Sequence, residues 1–386
     1  MTPPRLGLVC DFTEDHWYSM DLVASMLFAQ LQQDFSSRLQ TTRIGPAMNV
    51  RFNRSPTRSA PARKADQFLN RFWDYPRYLD RIRGNFDLFH VLDHTYAQLV
   101  HNLPPERTVV YCHDLDAFRC LIDPARDPRS KLFQAMSRRI LSGLQKAARV
   151  VCGSSVVRDE VLVYGLLPAE RLSVIPYGVH PSCGTAPDPA ADAKIQGLLG
   201  PVNPDAPEIL HVGSTIARKR IETLLNVFAA VRKQMPQVRL LRAGGAFTPA
   251  QEALAQDLRV RDAIEVLPYL EREELASVYR RAGVVLQTSS AEGFGLPVAE
   301  AMACGTPVIA SDLPVLREVG GSAALYCPVD DLEAWTASVL KLLSERGMPE
   351  WEQLRAASLA QAATFSWRDC ARKMTEVYAG LLGKPI

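Results

Sequence analysis

Glu292-Gly293-Phe294-Gly295-Leu296-Pro297-Val298-Ala299-Glu300 is the stretch that decides the reading of this chain. Two acids flank a turn that holds two glycines and a proline. Pro297 reads as the first residue of a helix, where its fixed φ helps and its missing N–H costs nothing. Residues 298–303 continue that helix. Gly293 and Gly295 lack a Cβ, so the backbone can bend there and approach a ligand closely. Open N–H groups of the loop and first turn then make an anion site. Glu292 is expected to enter from the loop and Glu300 from the helix, both on the ligand side. Carboxylates accept hydrogen bonds from hydroxyls, so the pattern suits a phosphorylated, hydroxyl-rich ligand such as a nucleotide sugar. The Glu-x7-Glu spacing alone is equally compatible with a strand-to-helix turn carrying two surface acids.

The wider block EGFGLPVAEAMACGTPVIASD, residues 292–312, goes further. It resembles the donor-binding signature of the retaining glycosyltransferases of family 4, the group 1 glycosyl transferases, which have the GT-B fold. The resemblance implies an α/β chain with two Rossmann-like, doubly wound domains facing a central cleft. It is strong over residues 208–330 and weaker but continuous before them. It includes Val174-Ile175-Pro176-Tyr177-Gly178-Val179, which looks like the family's domain-joining turn.

At 386 residues the chain is long for one hydrophobic core and comfortable for two. Its composition, 47% hydrophobic and 22% charged, is that of an ordinary globular protein. A net charge of +2 demands neither nucleic acid nor an acidic partner. No apolar run reaches the roughly 18–20 residues of a membrane span. Met1-Thr2-Pro3-Pro4-Arg5 leads into a short apolar strand followed at once by acids, so no signal peptide is expected. The eight cysteines show no Cys-x-x-Cys pair and no metal-like spacing. Reduced cytosolic thiols are expected, with Cys10, Cys112, Cys152 and Cys327 in the core.

Apolar runs alternate with amphipathic stretches, which argues for parallel α/β construction. Strands are expected at 6–10, 88–92, 108–112, 149–153 and 173–175, then at 208–212, 239–243, 264–267, 284–288, 307–310 and 324–326. Helical spacing marks 20–31 and 131–148. Residues 181–207, rich in Pro, Ala and Asp, read as a linker with a short helix. Domains are expected at 1–180 and 181–365. Residues 366–386 look like the family's closing helix, which crosses back onto the first domain.

His211-Val212-Gly213-Ser214-Thr215-Ile216-Ala217-Arg218-Lys219-Arg220 is the second informative stretch. A strand ends at a small-residue turn, with Gly213 and Ser214, and three cations are expected to open the next helix. Cations avoid a helix N-terminus unless an anion joins them. A diphosphate would do so, with Arg218 as a bidentate donor and Lys219 as a point charge. The segment is similar to the Arg-Lys pair of the family's pyrophosphate site; Arg220 stands where an uncharged residue is common. The third stretch, Val109 to Leu115, delivers His113 to a strand tip, where α/β sites sit. By resemblance His113 faces the donor sugar. His90 and His94 follow or end a neighbouring strand and either line the same cleft or serve the core.

The first turn departs from the family. Where many members carry glycines that reach donor phosphates, this chain has Asp11-Phe12-Thr13-Glu14-Asp15-His16-Trp17-Tyr18-Ser19. Ser19 is a candidate helix cap. Trp17 and Tyr18 suit a sugar or lipid acceptor, or core packing. Residues 51–83 hold eight Arg and one Lys against three Asp, interleaved with Phe52, Phe68, Phe72, Trp73, Tyr75 and Tyr78. They read either as a surface for anionic lipid headgroups or as a solvated insertion packed on the first domain.

The resemblance implies a retaining transfer of sugar from a nucleoside-diphosphate sugar, GDP- or UDP-linked, to an acceptor hydroxyl in a glycan or lipid-linked molecule. GDP-mannose is the first choice of donor. Arg218 and Lys219 would stabilise the leaving diphosphate, with Gly293, Phe294, Gly295, Leu296 and Pro297 lining the donor. Glu292 would hold sugar hydroxyls, Glu300 the ribose, and His113 would orient the sugar. Arg218 and Lys219 already supply positive charge for the leaving diphosphate, so no metal and no cofactor are expected. Nucleic acid is not an expected partner. The expected place is the cytoplasm, with peripheral contact on the inner face of the plasma membrane. Another GT-B enzyme, such as an epimerase or phosphorylase, and a silent nucleotide-sugar binder remain the alternatives.

Overall fold

Among the described residues, short apolar runs bounded by turn residues form twelve strands, and amphipathic stretches between them form the covering helices. The computed structural model describes residues 2–15, 17–52 and 60–386. Its chain divides into two compact units: Met1–Gly178 with Trp367–Ile386, and Val179–Ser366.

The first unit holds β1 (Arg5–Val9), β2 (Gln40–Ile44), β3 (Leu88–Val91), β4 (Thr108–Cys112), β5 (Arg149–Cys152) and β6 (Leu172–Val174). They form one parallel sheet in the order β2-β1-β3-β4-β5-β6. The strand order reverses between β1 and β3, the position where doubly wound sheets bind ligands. Val91, Val110 and Val150 on neighbouring strands are fully buried. Each such side chain contributes roughly 1.5–3 kcal/mol.

The helix Trp367–Leu382 belongs to this unit. Its Tyr378 hydroxyl meets His90 Nδ1 at 2.8 Å, and its Arg368 Nε donates to Asp34 at 3.1 Å. Trp367 stacks on Tyr177 with ring centroids 6.3 Å apart.

The second unit holds β7 (Glu208–Val212), β8 (Arg239–Ala243), β9 (Ile264–Val266), β10 (Val284–Gln287), β11 (Val308–Ser311) and β12 (Leu325–Cys327). Its parallel sheet runs β12-β11-β10-β7-β8-β9, and the order reverses between β10 and β7. Trp335, Phe228 and Leu240 fill its core.

The expected strands stand within a residue or two of the observed ones. β2 was not among them. Its sequence Gln-Thr-Thr-Arg-Ile buries only Thr41 and Ile44, because it pairs on one edge only, so the apolar pattern is missing. The linker contains the helix Pro189–Leu199, with Asp188 accepting from Ala190 N and Ala191 N at 3.1 Å each. Helix Tyr18–Phe35 starts before Ser19, without a side-chain cap, so Ser19 is not its cap. The eight cysteines are unpaired, and all but the half-buried Cys183 are buried. Among the described residues no helix is long and apolar enough to cross a membrane.

Candidate functional site

In the second unit the loops after β7 and β10 meet at the order reversal. The β7 loop passes Gly213 and the exposed Ser214 into a tight turn, Ala217–Lys219. The β10 loop clasps that turn: Thr288 Oγ1 donates to the Lys219 carbonyl at 3.0 Å, and Ser290 N donates to the Arg218 carbonyl at 2.8 Å. Glu292 sits against it and accepts four hydrogen bonds. Lys219 Nζ reaches Oε1 at 2.6 Å and Arg218 Nη1 reaches Oε2 at 3.0 Å. Ser289 Oγ and Gln287 Nε2 complete the set at 2.7 and 2.5 Å. Burial would raise the Glu292 pKa. The Lys219 and Arg218 charges and these hydrogen bonds overturn that and hold it below its ordinary value.

Several expectations are adjusted here. The cations do not open a helix: helix Ile221–Gln234 begins after Arg220, which stands at φ 50° as its N-cap and pairs with Asp330 instead. The 296–303 helix begins at Leu296, one residue before Pro297, after Gly295 at φ 97°. Gly295 serves packing: a Cβ there would lie 2.7 Å from Leu316 Cδ2. Phe294 is buried, edge-on to Phe365 at 5.5 Å, so its ring is a core residue. Gly293 is buried beside it. Glu300 has a different set of partners from Glu292. It is buried, accepts from the Tyr279 hydroxyl at 3.0 Å and pairs with Arg272 at 3.4 Å. Burial lifts its pKa against the pull of Arg272.

Sequence reasoning missed Gln287 and Ser289, which hold Glu292, and Arg242, a cation inside a central strand. The signal for Arg242 was present: a charge in an apolar parallel strand just before Gly244-Gly245.

In the first unit the order reversal brings together the ends of β1, β3 and β4. His113 lies at the tip of β4 and is buried. Its Nε2 meets the Leu92 carbonyl at 2.7 Å, and its Nδ1 meets the Tyr177 hydroxyl at 2.5 Å. A carbonyl only accepts, so the Nε2 carries the proton and Nδ1 accepts from Tyr177. Both ring nitrogens are thus occupied within the protein, and burial keeps the ring neutral. His90 lies inside β3 against Tyr378, its pKa pushed down to about 3 by burial, and is a core residue. His94 stands between Asp93 at 3.4 Å and Asp114 at 3.5 Å.

Asp11 follows β1 and Asp93 follows β3; both are buried. Asp93 accepts from Thr95 N at 2.7 Å and Thr95 Oγ1 at 2.8 Å, whereas among the described residues no N–H or hydroxyl donates to Asp11. Burial, then the neighbouring Asp93, lift the Asp11 pKa well above its ordinary value. Burial would lift Asp93 too, but His94, His113 and the Asp11 carboxyl bring it down. The two carboxyls are therefore pushed in opposite directions, Asp11 toward its neutral form and Asp93 toward its ionised form.

The 51–83 region is mixed. Arg54 and Arg58 lie outside the described residues, as does His16 of the first turn. Arg51 forks onto Asp74 at 2.7 Å, and Arg71 lies over the Tyr96 ring at 4.2 Å. Tyr75 is core: its hydroxyl donates to the carbonyls of Cys10 and Ile44 at 2.8 and 2.7 Å. Phe72 packs on the core as well. Phe52, Phe68, Trp73 and Tyr78 stay exposed, as do Trp17 and Tyr18. Among the described residues no group of three or more His, Cys, Asp or Glu could hold a metal ion.

Comparison with known proteins gives two family matches, Glycosyl transferases group 1 over residues 200–359 and Glycosyltransferase Family 4 over residues 35–182. The chain is 28% identical over 285 residues to the O-antigen chain mannosyltransferase B of Escherichia coli, covering 72% of this chain and 71% of that one. It is 36% identical over 229 residues to a D-inositol 3-phosphate glycosyltransferase of Xylanimonas cellulosilytica, covering 57% of this chain and about half, 54%, of that relative. The fold matches that of Anabaena HepE, solved in complex with UDP and glucose, with a TM-score of 0.73 at 15% identity over 98% of this chain and 100% of that one.

Proposed function

Because the chain belongs to the group 1 glycosyl transferases of family 4, with the GT-B fold, we propose that it moves a sugar from a nucleoside-diphosphate sugar to an acceptor hydroxyl with retention of anomeric configuration. The observation that carries this is the Arg218–Lys219–Glu292 cluster at the order reversal of the second sheet. Two cations are held side by side on a turn, against a carboxylate that ligand can replace. A diphosphate would draw Arg218 and Lys219 onto its oxygens and free Glu292 for sugar hydroxyls. Glu300 is assigned to the ribose.

The chemistry follows from where charge develops. The bond between the anomeric carbon and the diphosphate oxygen breaks, leaving the electron pair on the diphosphate. Arg218 and Lys219 stabilise that charge in place, without reorganisation of water. The acceptor oxygen bonds to the anomeric carbon on the same face, and its proton passes to the departing phosphate oxygen. His113, with both nitrogens occupied, would position the β4 turn rather than touch the sugar. The step needs no metal, since the cations supply the charge. GDP-mannose is the preferred donor, supported by the mannosyltransferase relative; UDP-glucose is the next, supported by the ligand of the Anabaena structure.

The acceptor is proposed to be lipid-linked and met at the inner face of the plasma membrane. Residues 60–82 expose the cations Arg63, Lys64, Arg77 and Arg81 together with the aromatic residues Phe68, Trp73 and Tyr78.

A thermal-shift series with GDP-, UDP-, ADP- and dTDP-sugars, in EDTA and in magnesium, tests the donor reading. The right donor at 100 times its Kd should stabilise by about 2.7 kcal/mol in either buffer. A shift seen only with magnesium would remove the metal-free mechanism; no shift with any sugar nucleotide would remove the donor site.

A further inference from the structure

Arg242, the fourth residue of β8, has no part in the chemistry above. It is 0% exposed, and so is His211, its register partner on β7. Arg242 Nη1 donates to the Ala243 carbonyl at 2.8 Å. Its Nε and Nη2 have no hydrogen-bond partner, and neither does either nitrogen of His211. Among the described residues no carboxylate pairs with it, and the Phe247 ring lies 5.8 Å away. Burial lowers its pKa to about 10, so it remains charged at neutral pH. A buried charge without a counter-ion is costly to a fold and needs a reason.

Its surroundings give one. The Ala243 carbonyl that Arg242 grips also accepts from Gly213 N at 2.9 Å. A Cβ on Gly244, at φ 120°, would lie 2.1 Å from the Gly213 carbonyl oxygen and 3.2 Å from Arg242 Nη1. A Cβ on Gly213 would lie 3.4 Å from both His211 Cε1 and Lys219 Cε. Arg242 therefore underlies the same glycine turn whose other side meets Lys219. Charge agrees in sign: Arg218 and Lys219 meet on one carboxylate, Glu292, and Arg242 adds a further positive charge beneath the turn. A sugar diphosphate carries one negative charge on each phosphorus.

We infer that Arg242 is a positioning residue of the diphosphate site, a buried cation whose missing counter-charge is the donor diphosphate, felt through the Gly213–Gly244 turn. This rests on the donor reading above. It sets stability and binding against each other. An apolar replacement relieves the fold of an unpaired ion, which is often neutral or stabilising. The same replacement weakens diphosphate binding.

The test compares Arg242→Met and Arg218→Ala with the parent chain, by calorimetry with GDP and UDP and with guanosine and uridine. Arg242→Met should keep or raise Tm, weaken the diphosphates about tenfold, or about 1.4 kcal/mol, and leave the nucleosides unchanged. If Arg218→Ala weakens the diphosphates and Arg242→Met does not, the inference falls and the donor reading stands. If neither weakens them, both fall. A lowered Tm with equal loss for diphosphate and nucleoside would make Arg242 a brace for the turn and nothing more. Arg242→Lys covers the case in which the Met variant does not fold. It keeps the charge, and should hold diphosphate affinity within about threefold; a tenfold loss there overturns the inference.

Discussion

The two sheets reverse their strand order in the same way and arm the reversal with opposite charge. Between β7 and β10 stand Arg218 and Lys219, with Arg242 beneath, against one carboxylate. Between β1 and β3 stand Asp11 and Asp93, the first lifted and the second lowered in pKa, beside His94 and His113. The backbones differ to match. The second unit turns on Gly213, Gly244 and Gly245, at φ 159°, 120° and 99°; the first turn of the first unit has no glycine. Topology sets where a ligand is met, and the residues set its charge. A glycine turn with surplus cations admits a diphosphate. A buried acid pair repels one, and suits hydroxyls.

The contrast can be broken in stages. The largest expected effect is from Gly244→Ala. A side chain there meets the Gly213 carbonyl and a disfavoured φ, and should cost about 3 kcal/mol or more in denaturant unfolding. A cost under about 1 kcal/mol would mean that the turn has room to spare.

Glu292→Gln comes next. It removes the one anion among the cations, so GDP or UDP should bind as tightly or severalfold more tightly, while sugar transfer falls. Its folded pKa lies below the unfolded 4.5, so its contribution to stability is present above pH 4.5 and is lost as pH falls through the folded value. The Gln variant should lose that acid-side slope. Weaker nucleotide binding in calorimetry would show that Glu292 contacts the nucleotide.

Asp11→Asn probes the acidic end. Its folded pKa lies above the unfolded 3.8, so the parent loses stability as pH rises from 3.8 through the folded value. The Asn variant escapes that loss and should be more stable at neutral pH, on the order of 1 kcal/mol, with nucleotide binding unchanged. Tm measured against pH decides it; a variant less stable at pH 7 would mean that Asp11 is ionised and held by a partner.

The smallest effect is at the surface. Each exposed cation of the 60–82 helices contributes about 1 kcal/mol on an anionic bilayer, screened over roughly 8–10 Å. Co-sedimentation with anionic vesicles should be lost in high salt and absent on neutral ones. Equal recovery on both would assign these residues to another role.

Most of the architecture was legible because buried parallel strands are short, apolar and bounded by turns. β2 was not, since an edge strand needs few apolar residues. The block around Glu292 and the Arg218-Lys219 pair stood out as two separate motifs. Their mutual pairing was invisible, because it joins residues far apart in sequence. His113 was legible as a strand-tip histidine, but its occupancy depends on Tyr177 and the Leu92 carbonyl, which no local pattern reveals. Tyr75 read as either a surface or a packing aromatic, and it is core, because only the fold brings it under Cys10 and Ile44. Arg242 was written in the sequence as an out-of-place charge and was passed over.

The helix Trp367–Leu382 carries a consequence in time. The first unit is built from two stretches of chain, and the second from one. The contacts of the first unit's second stretch, Tyr378 with His90 and Cys370 with Tyr111, can form only after the whole of the second unit has been synthesised.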